Sequence, residues 1–217
     1  MATSVKPMMQ TDRTKALTDG VLAIVLTILV LSFEVPDQRF GRDALWHFFH
    51  ELARPFVAYI VSFGLVAAYW VQHVAIFHYV RVGNRIFTWL NILFLLPLTL
   101  LPFLTDLRAT YHDEYVTTFM YAAANIFAGV LMLTMWEYAR RRGLSIAVSA
   151  EVDRSMRRRI LLGIVINVAG AAVAPIDVYL SSAVFLLLPT LYVSHRIVDS
   201  HWNDPTGTTE EDRGATA

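Results

Sequence analysis

Apolar residues in this chain fall in long tracts separated by short polar stretches. A helix needs ~20 mostly apolar residues to cross a hydrocarbon core of ~30 Å. Six tracts meet or approach that length: Ala16–Phe33, Pro55–Phe77, Ile86–Leu107, Val116–Tyr138, Ile160–Pro175 and Val178–Ser194. The pattern predicts an all-α, polytopic membrane protein with six transmembrane helices. The fifth tract is the shortest. Its Gly163, Gly170, Ala171 and Ala172 allow close helix approach, and Pro175-Ile-Asp177 predicts a tight turn. Spans five and six are therefore expected to form a packed hairpin. Residues 1–12 read as a polar lead and 13–196 as one six-helix unit. Residues 197–217 are too poor in apolar side chains to order on their own. Residues 143–156 carry Ile146, Val148 and Val152 at spacings that suit a short amphipathic segment on the membrane surface. No internal repeat and no second domain are visible.

Charge sets the orientation. With six spans, both termini share a side with the loops after spans two and four. That side holds fourteen of the 18 Lys and Arg residues, among them Arg13, Lys15, Arg81, Arg85, Arg140–Arg142, Arg154 and Arg157–Arg159. The other side holds four: Arg39, Arg42, Arg54 and Arg108. The positive-inside rule then predicts cytoplasmic termini. Removing one span would scramble the split, so the charges also support the count.

Composition narrows the class. Charged residues make up 17% of the chain, below the ~25% usual in soluble domains. Cysteine is absent, which excludes disulfides, thiolate metal sites and cysteine nucleophiles. The net charge of zero argues against a nucleic-acid partner. No His-Glu-x-x-His, Gly-x-Ser-x-Gly or phosphate-cradling glycine loop occurs, so an enzyme is not expected. His47-Phe-Phe-His50-Glu51 places two imidazoles beside a carboxylate. Metal ligation needs further ligands at the same depth, and an interfacial amphipathic helix accounts for the segment better. No cofactor is expected.

Polar groups inside the spans cluster at one end. Asp19 lies about a turn inside span one, with Arg13 just before it. Trp70 and His73 sit near the corresponding end of span two, and Asn91 lies about a turn into span three. Topology brings Arg13, Asp19, Trp70, His73 and Asn91 to a common depth, where a buried carboxylate requires partners. Taken singly, each has a plainer role: Arg13 as an interfacial anchor, Asp19 as a favourable charge near a helix N-terminus, Trp70 as a belt aromatic and His73 as a packing group.

Past Asp19, span one is uncharged until Glu34. Ile24, Ile28 and Leu31 share one helical face, with Thr27 beside it. The face is open to two readings: a surface for lipid or packing, or a stripe repeated around an axis in an oligomer. In the second case, apolar rings would close a narrow pore by excluding water, and Thr27 would offer oxygen ligands to a partly dehydrated cation.

Arg13-Thr-Lys-Ala-Leu17-Thr18-Asp19 resembles the Arg-x-x-x-Phe-Ser-Asp signature of the transmembrane protein 175 family, a family of lysosomal and prokaryotic potassium channels. The similarity runs on through Thr27-Ile-Leu-Val-Leu31 to Val35-Pro36. It returns at Tyr69-Trp70-Val-Gln-His73, Leu90-Asn91 and Leu101-Pro102-Phe103. It covers most of spans one to three. The resemblance implies a potassium channel whose first helix lines the pore, with the hydrophobic constriction at Ile24 and further narrow layers near Thr27 or Ile28 and at Leu31. A chain with one six-helix unit is similar to the prokaryotic members, which implies a homotetramer in a cell membrane, in contact with lipids and potassium ions. The family lacks the Thr-Val-Gly-Tyr-Gly filter, as does this sequence. Leu17 stands where the motif has Phe, and Thr18 where it has Ser. The second exchange keeps the hydroxyl; the first removes a ring.

A secondary transporter is the rival class. Pro97 and Pro102 could break span three, and Asn125 and Asn167 are polar groups near mid-span. No carboxylate lies at the midplane to couple an ion, and no inverted repeat is visible.

Overall fold

The computed structural model describes residues 9–33 and 41–193. The expected matches at Val35-Pro36, the tail 197–217 and the charges Lys6, Arg39, Arg196 and Arg213 lie outside the described residues. The fold is helical. In chain order it runs β1 (Met9–Gln10), α1 (Asp12–Ile28), a 3-10 turn (Leu29–Ser32), α2 (Arg42–Tyr79), β2 (Val82–Gly83), α3 (Arg85–Thr99), α4 (Leu101–Thr110), α5 (Tyr115–Arg141), α6 (Ala150–Val173) and α7 (Val178–Val193). Four stretches are long and apolar enough to cross a membrane: Asp12–Ser32, Ala44–Tyr79, Arg85–Thr110 and Tyr115–Arg141. The first turns of α6 carry Glu151, Asp153, Arg154 and Arg157–Arg159, and the apolar part of α7 is short. The helices thus supply four to six crossings.

The elements follow from local chemistry. Asn84 caps α3 by accepting from the Phe87 amide at 2.9 Å, and Ser149 caps α6 by accepting from Val152 at 3.3 Å. Helix α5 stops at Gly143, which takes φ +65° so that the Leu144 amide can reach the Ala139 carbonyl at 2.9 Å. Span three is interrupted at Leu100, where Pro97 and Pro102 flank the junction of α3 and α4. Helix α2 is longer than its apolar tract. It begins well before Pro55 and, at ~1.5 Å per residue, its 38 residues reach about 57 Å. His47 and Glu51 sit in that early part, exposed and 3.3 Å apart as an i, i+4 pair.

Helices α2, α3 and α5 carry much of the core, with Leu65, Val66, Phe87, Phe94, Tyr121, Met132 and Trp136 buried. Helices α6 and α7 form the expected hairpin. A side chain at Gly170 would meet the Phe185 ring at 2.6 Å, so that contact requires glycine. Ser181 ties the same point by donating to the Gly170 carbonyl at 2.7 Å.

The end of the polar lead is pinned. Met9–Gln10 pairs antiparallel with Val82–Gly83, and the Thr11 hydroxyl lies 3.2–3.3 Å from the carbonyls of Val80 and Arg81. The start of α1 is therefore fastened to the loop between α2 and α3. Residues 143–149 form a loop that bridges Val80 to Ser145, and the helix begins only at Ala150.

Candidate functional site

Helix α1 has two unlike faces. Thr18, Leu22, Val25 and Leu29 recur at helical spacing and are buried. The opposite face presents Ile24 (57% exposed), Ile28 (43%) and Leu31 (72%), with Thr27 exposed beside them. Only 28% of the α1 apolar stretch is covered by the rest of the chain, against 56% for α2 and 50% for α5.

The buried face ends in a directional hydrogen-bond chain. His73 Nε2 and Asn91 Oδ1 lie 2.9 Å apart, so the imidazole N–H donates to the amide oxygen. Asn91 Nδ2 donates to Thr18 Oγ1 at 2.9 Å, and Thr18 donates to the Thr14 carbonyl at 3.2 Å. His73, Asn91 and Thr18 are all buried. This chain fixes the His73 tautomer with the proton on Nε2. The ring is held between Phe77 and Phe94, with centroids at 4.2 and 5.9 Å. One asparagine thus joins the first three spans.

Asp19 takes a different place. It is exposed, and it accepts from Trp70 Nε1 at 2.9 Å. Thr18, one residue earlier, is the buried member of the pair. Arg13 is exposed and bonds to no side chain among the described residues, so the structure does not bring it to Asp19. Leu17 is half-exposed on the uncovered side of α1, away from the core of its own chain. Asn125 and Asn167 bond back to their own helices, to the Tyr121 carbonyl at 2.9 Å and the Gly163 carbonyl at 2.8 Å. Their side-chain oxygens are buried without a partner among the described residues.

Two polar clusters lie outside the residues singled out from the sequence. At the end of the bundle shared with Thr18 and Asn91, Asp153 accepts from the buried Trp136 at 2.9 Å and pairs with Arg157 at 3.1 Å and Arg140 at 3.3 Å. Arg157 also reaches Glu137 at 2.7 Å. Part of the basic surface expected there is therefore spent in clamping α5 to α6. At the other end, Arg108 is buried beside Tyr121, Phe185 and Ser182. Asp153, at an i, i+4 spacing with Arg157, could have flagged the first cluster. Nothing in the sequence marks the second.

The apolar helices, the buried hydrogen bonds between them and the uncovered face of α1 define an α-helical integral membrane protein. Residues 13–102 match the family model described as "Endosomal/lysosomal potassium channel TMEM175". A potassium channel of Streptomyces collinus is 31% identical over 162 residues, covering 72% of this chain and 78% of that protein. A potassium channel of Chamaesiphon minutus is 30% identical over 186 residues, covering 82% and 91%. The crystal structure of a lysosomal potassium-selective channel TMEM175 homolog from Chamaesiphon minutus superposes with a TM-score of 0.70 at 25% identity, over 87% of this chain and 98% of that one. The chain belongs to the TMEM175 family.

Proposed function

We propose that this chain is a potassium-conducting channel of a prokaryotic cell membrane, a homotetramer with α1 lining a pore on the four-fold axis and both termini in the cytoplasm. Ile24 forms the hydrophobic constriction, with Thr27, Ile28 and Leu31 as further narrow layers. The observation that carries this reading is the division of α1 into a face locked to α2 and α3 and a face of Ile and Leu left uncovered. Four copies meeting on the uncovered face would make apolar rings that exclude water until they part. Thr27 suits a pore wall: its hydroxyl donates to the Ile24 carbonyl at 2.8 Å, which leaves oxygen lone pairs for a passing cation. The names of the bacterial relatives supply the ion. Arg13, Leu17 and Asp19, exposed on a single chain, fall where neighbouring subunits would meet them, while Thr18, His73 and Asn91, with Trp70 beside Asp19, hold α1 at its angle.

The absence of cysteine makes the test clean. Ile24→Cys or Leu31→Cys alone is expected to give disulfide-linked dimers within a tetramer on oxidation in the membrane. Ile24→Asn in liposomes should raise passive potassium flux about tenfold, equivalent to ~1.4 kcal/mol off the barrier. Absence of cross-links at both positions, with flux that saturates and depends on a counter-ion, would overturn the channel and favour a transporter.

A further inference from the structure

Arg108 is 5% exposed at the C-terminal end of α4. Its guanidinium lies 5.2 Å from the ring centroids of both Tyr121 and Phe185. Nη2 donates to the Ser182 hydroxyl, and Nε is buried with no partner. Among the described residues no carboxylate pairs with it. Three of the described acids at this end are engaged elsewhere or face outward: Asp177 caps α7 by accepting from Tyr179 and Leu180 at 2.7 and 3.0 Å, Asp113 lies 3.4 Å from His112, and Asp106 is exposed. A cation removed from water needs a counter-charge, and the described residues supply none.

Arg108 lines a cavity of about 370 Å³ between α2, α4 and α7. Arg54 and His112 line the same cavity, with Arg54 Nη1 donating to His112 Nε2 at 2.9 Å. The rest of its wall is mainly apolar, with Val57, Val61 and Leu186 prominent. Two guanidinium groups facing one apolar-walled space suit a phosphate oxygen set, which arginine forks bind through paired N–H groups. Basic pockets between membrane helices take lipid headgroups for the same reason. The cavity sits where α4 ends and α7 starts, against residues 53–61 of α2, where the apolar tract of that helix begins.

We propose that this cavity binds a phosphate-bearing anion, with Arg108 as the floor contact, Arg54 at the mouth and the apolar wall taking the chain of a phospholipid. None of the residues that line the cavity belongs to α1 or its 3-10 turn. Binding there is tested by native mass spectrometry and thermal unfolding of the full-length protein in detergent, with phosphatidylglycerol, phosphatidylcholine or inorganic phosphate added separately. The wild type should retain phosphatidylglycerol at least tenfold over phosphatidylcholine. Arg108→Gln should abolish that preference, and Ala183→Phe, which fills the cavity without touching the cation, should lower retention of phosphatidylglycerol tenfold. If millimolar inorganic phosphate raises the unfolding temperature of the wild type but not of either variant, and the lipid has no effect, the anion is free phosphate. Equal retention of both lipids with no effect of phosphate, or a preference unchanged in Ala183→Phe, would overturn the proposal. The second variant keeps the test valid if Arg108→Gln does not fold.

Discussion

The two ends of the helical bundle solve the problem of buried polarity in opposite ways. At the end holding Thr18, Asn91 and His73, each donor in the chain meets an acceptor, and the groups are neutral. At the other end, Ser62, Thr105 and Tyr121 form a similar neutral set, with oxygens 2.7–2.9 Å apart. Above it, however, sits a full positive charge answered, among the described residues, by a hydroxyl and two aromatic faces. A neutral hydrogen-bonded network serves as a fastener even with His73 Nδ1 left unpartnered, because changing either member of a bonded pair strands the other. A buried cation without its anion is an unfinished arrangement, and it points outward from the chain to whatever completes it.

This contrast can be broken most directly at Asn91. Asn91→Leu leaves the His73 N–H without an acceptor in a dry site and should destabilise the protein by about 3 kcal/mol, measured by unfolding in mixed micelles. A cost below ~1 kcal/mol would mean that the network closes nothing. Gly170→Val presses on Phe185, one of the two rings that hold Arg108, and should cost about 2 kcal/mol by overpacking. A cost near zero would extend the looseness of the Arg108 end into the α6–α7 contact. Arg108→Met replaces the cation with an apolar side chain of similar reach. With no ion pair to lose, lipid-free stability should stay within about 1 kcal/mol of wild type. A loss as large as that of Asn91→Leu would erase the difference between the two ends. Trp70→Phe removes one exposed hydrogen bond to Asp19 and should cost about 0.5 kcal/mol, readable in the same unfolding series as its smallest effect.

The helices were legible in the sequence because long apolar tracts have few other uses. The described helices overlie all six expected tracts, differing mainly where amphipathic turns extend them, as at Arg42–Arg54 and Ala150–Arg159. Family membership was legible in the spacing of Arg13 to Asp19 together with the run that follows. Burial at the level of single residues was harder to read. Thr18 and Asp19 are adjacent, and a rotation of 100° decides which one enters the core. Arg108 looked like a loop charge because its position in sequence falls at a span end. Its burial follows from how α5 and α7 converge on α4, and no local pattern encodes that. The pairing of Met9–Gln10 with Val82–Gly83 joins segments far apart in the chain, each too short to signal a strand.

That small ribbon has a mechanical consequence. With Met9–Gln10 stitched to Val82–Gly83, Thr11 tied beside it and Thr18 bolted to Asn91, α1 is a beam clamped at its root. Its other end is supported too: the 3-10 turn packs against α2 and α4, with Leu29 buried and Phe33 against the rings of Phe56 and Tyr59. A beam held at both supports cannot slide along its length, and it bends most between them, in the stretch that carries Ile24.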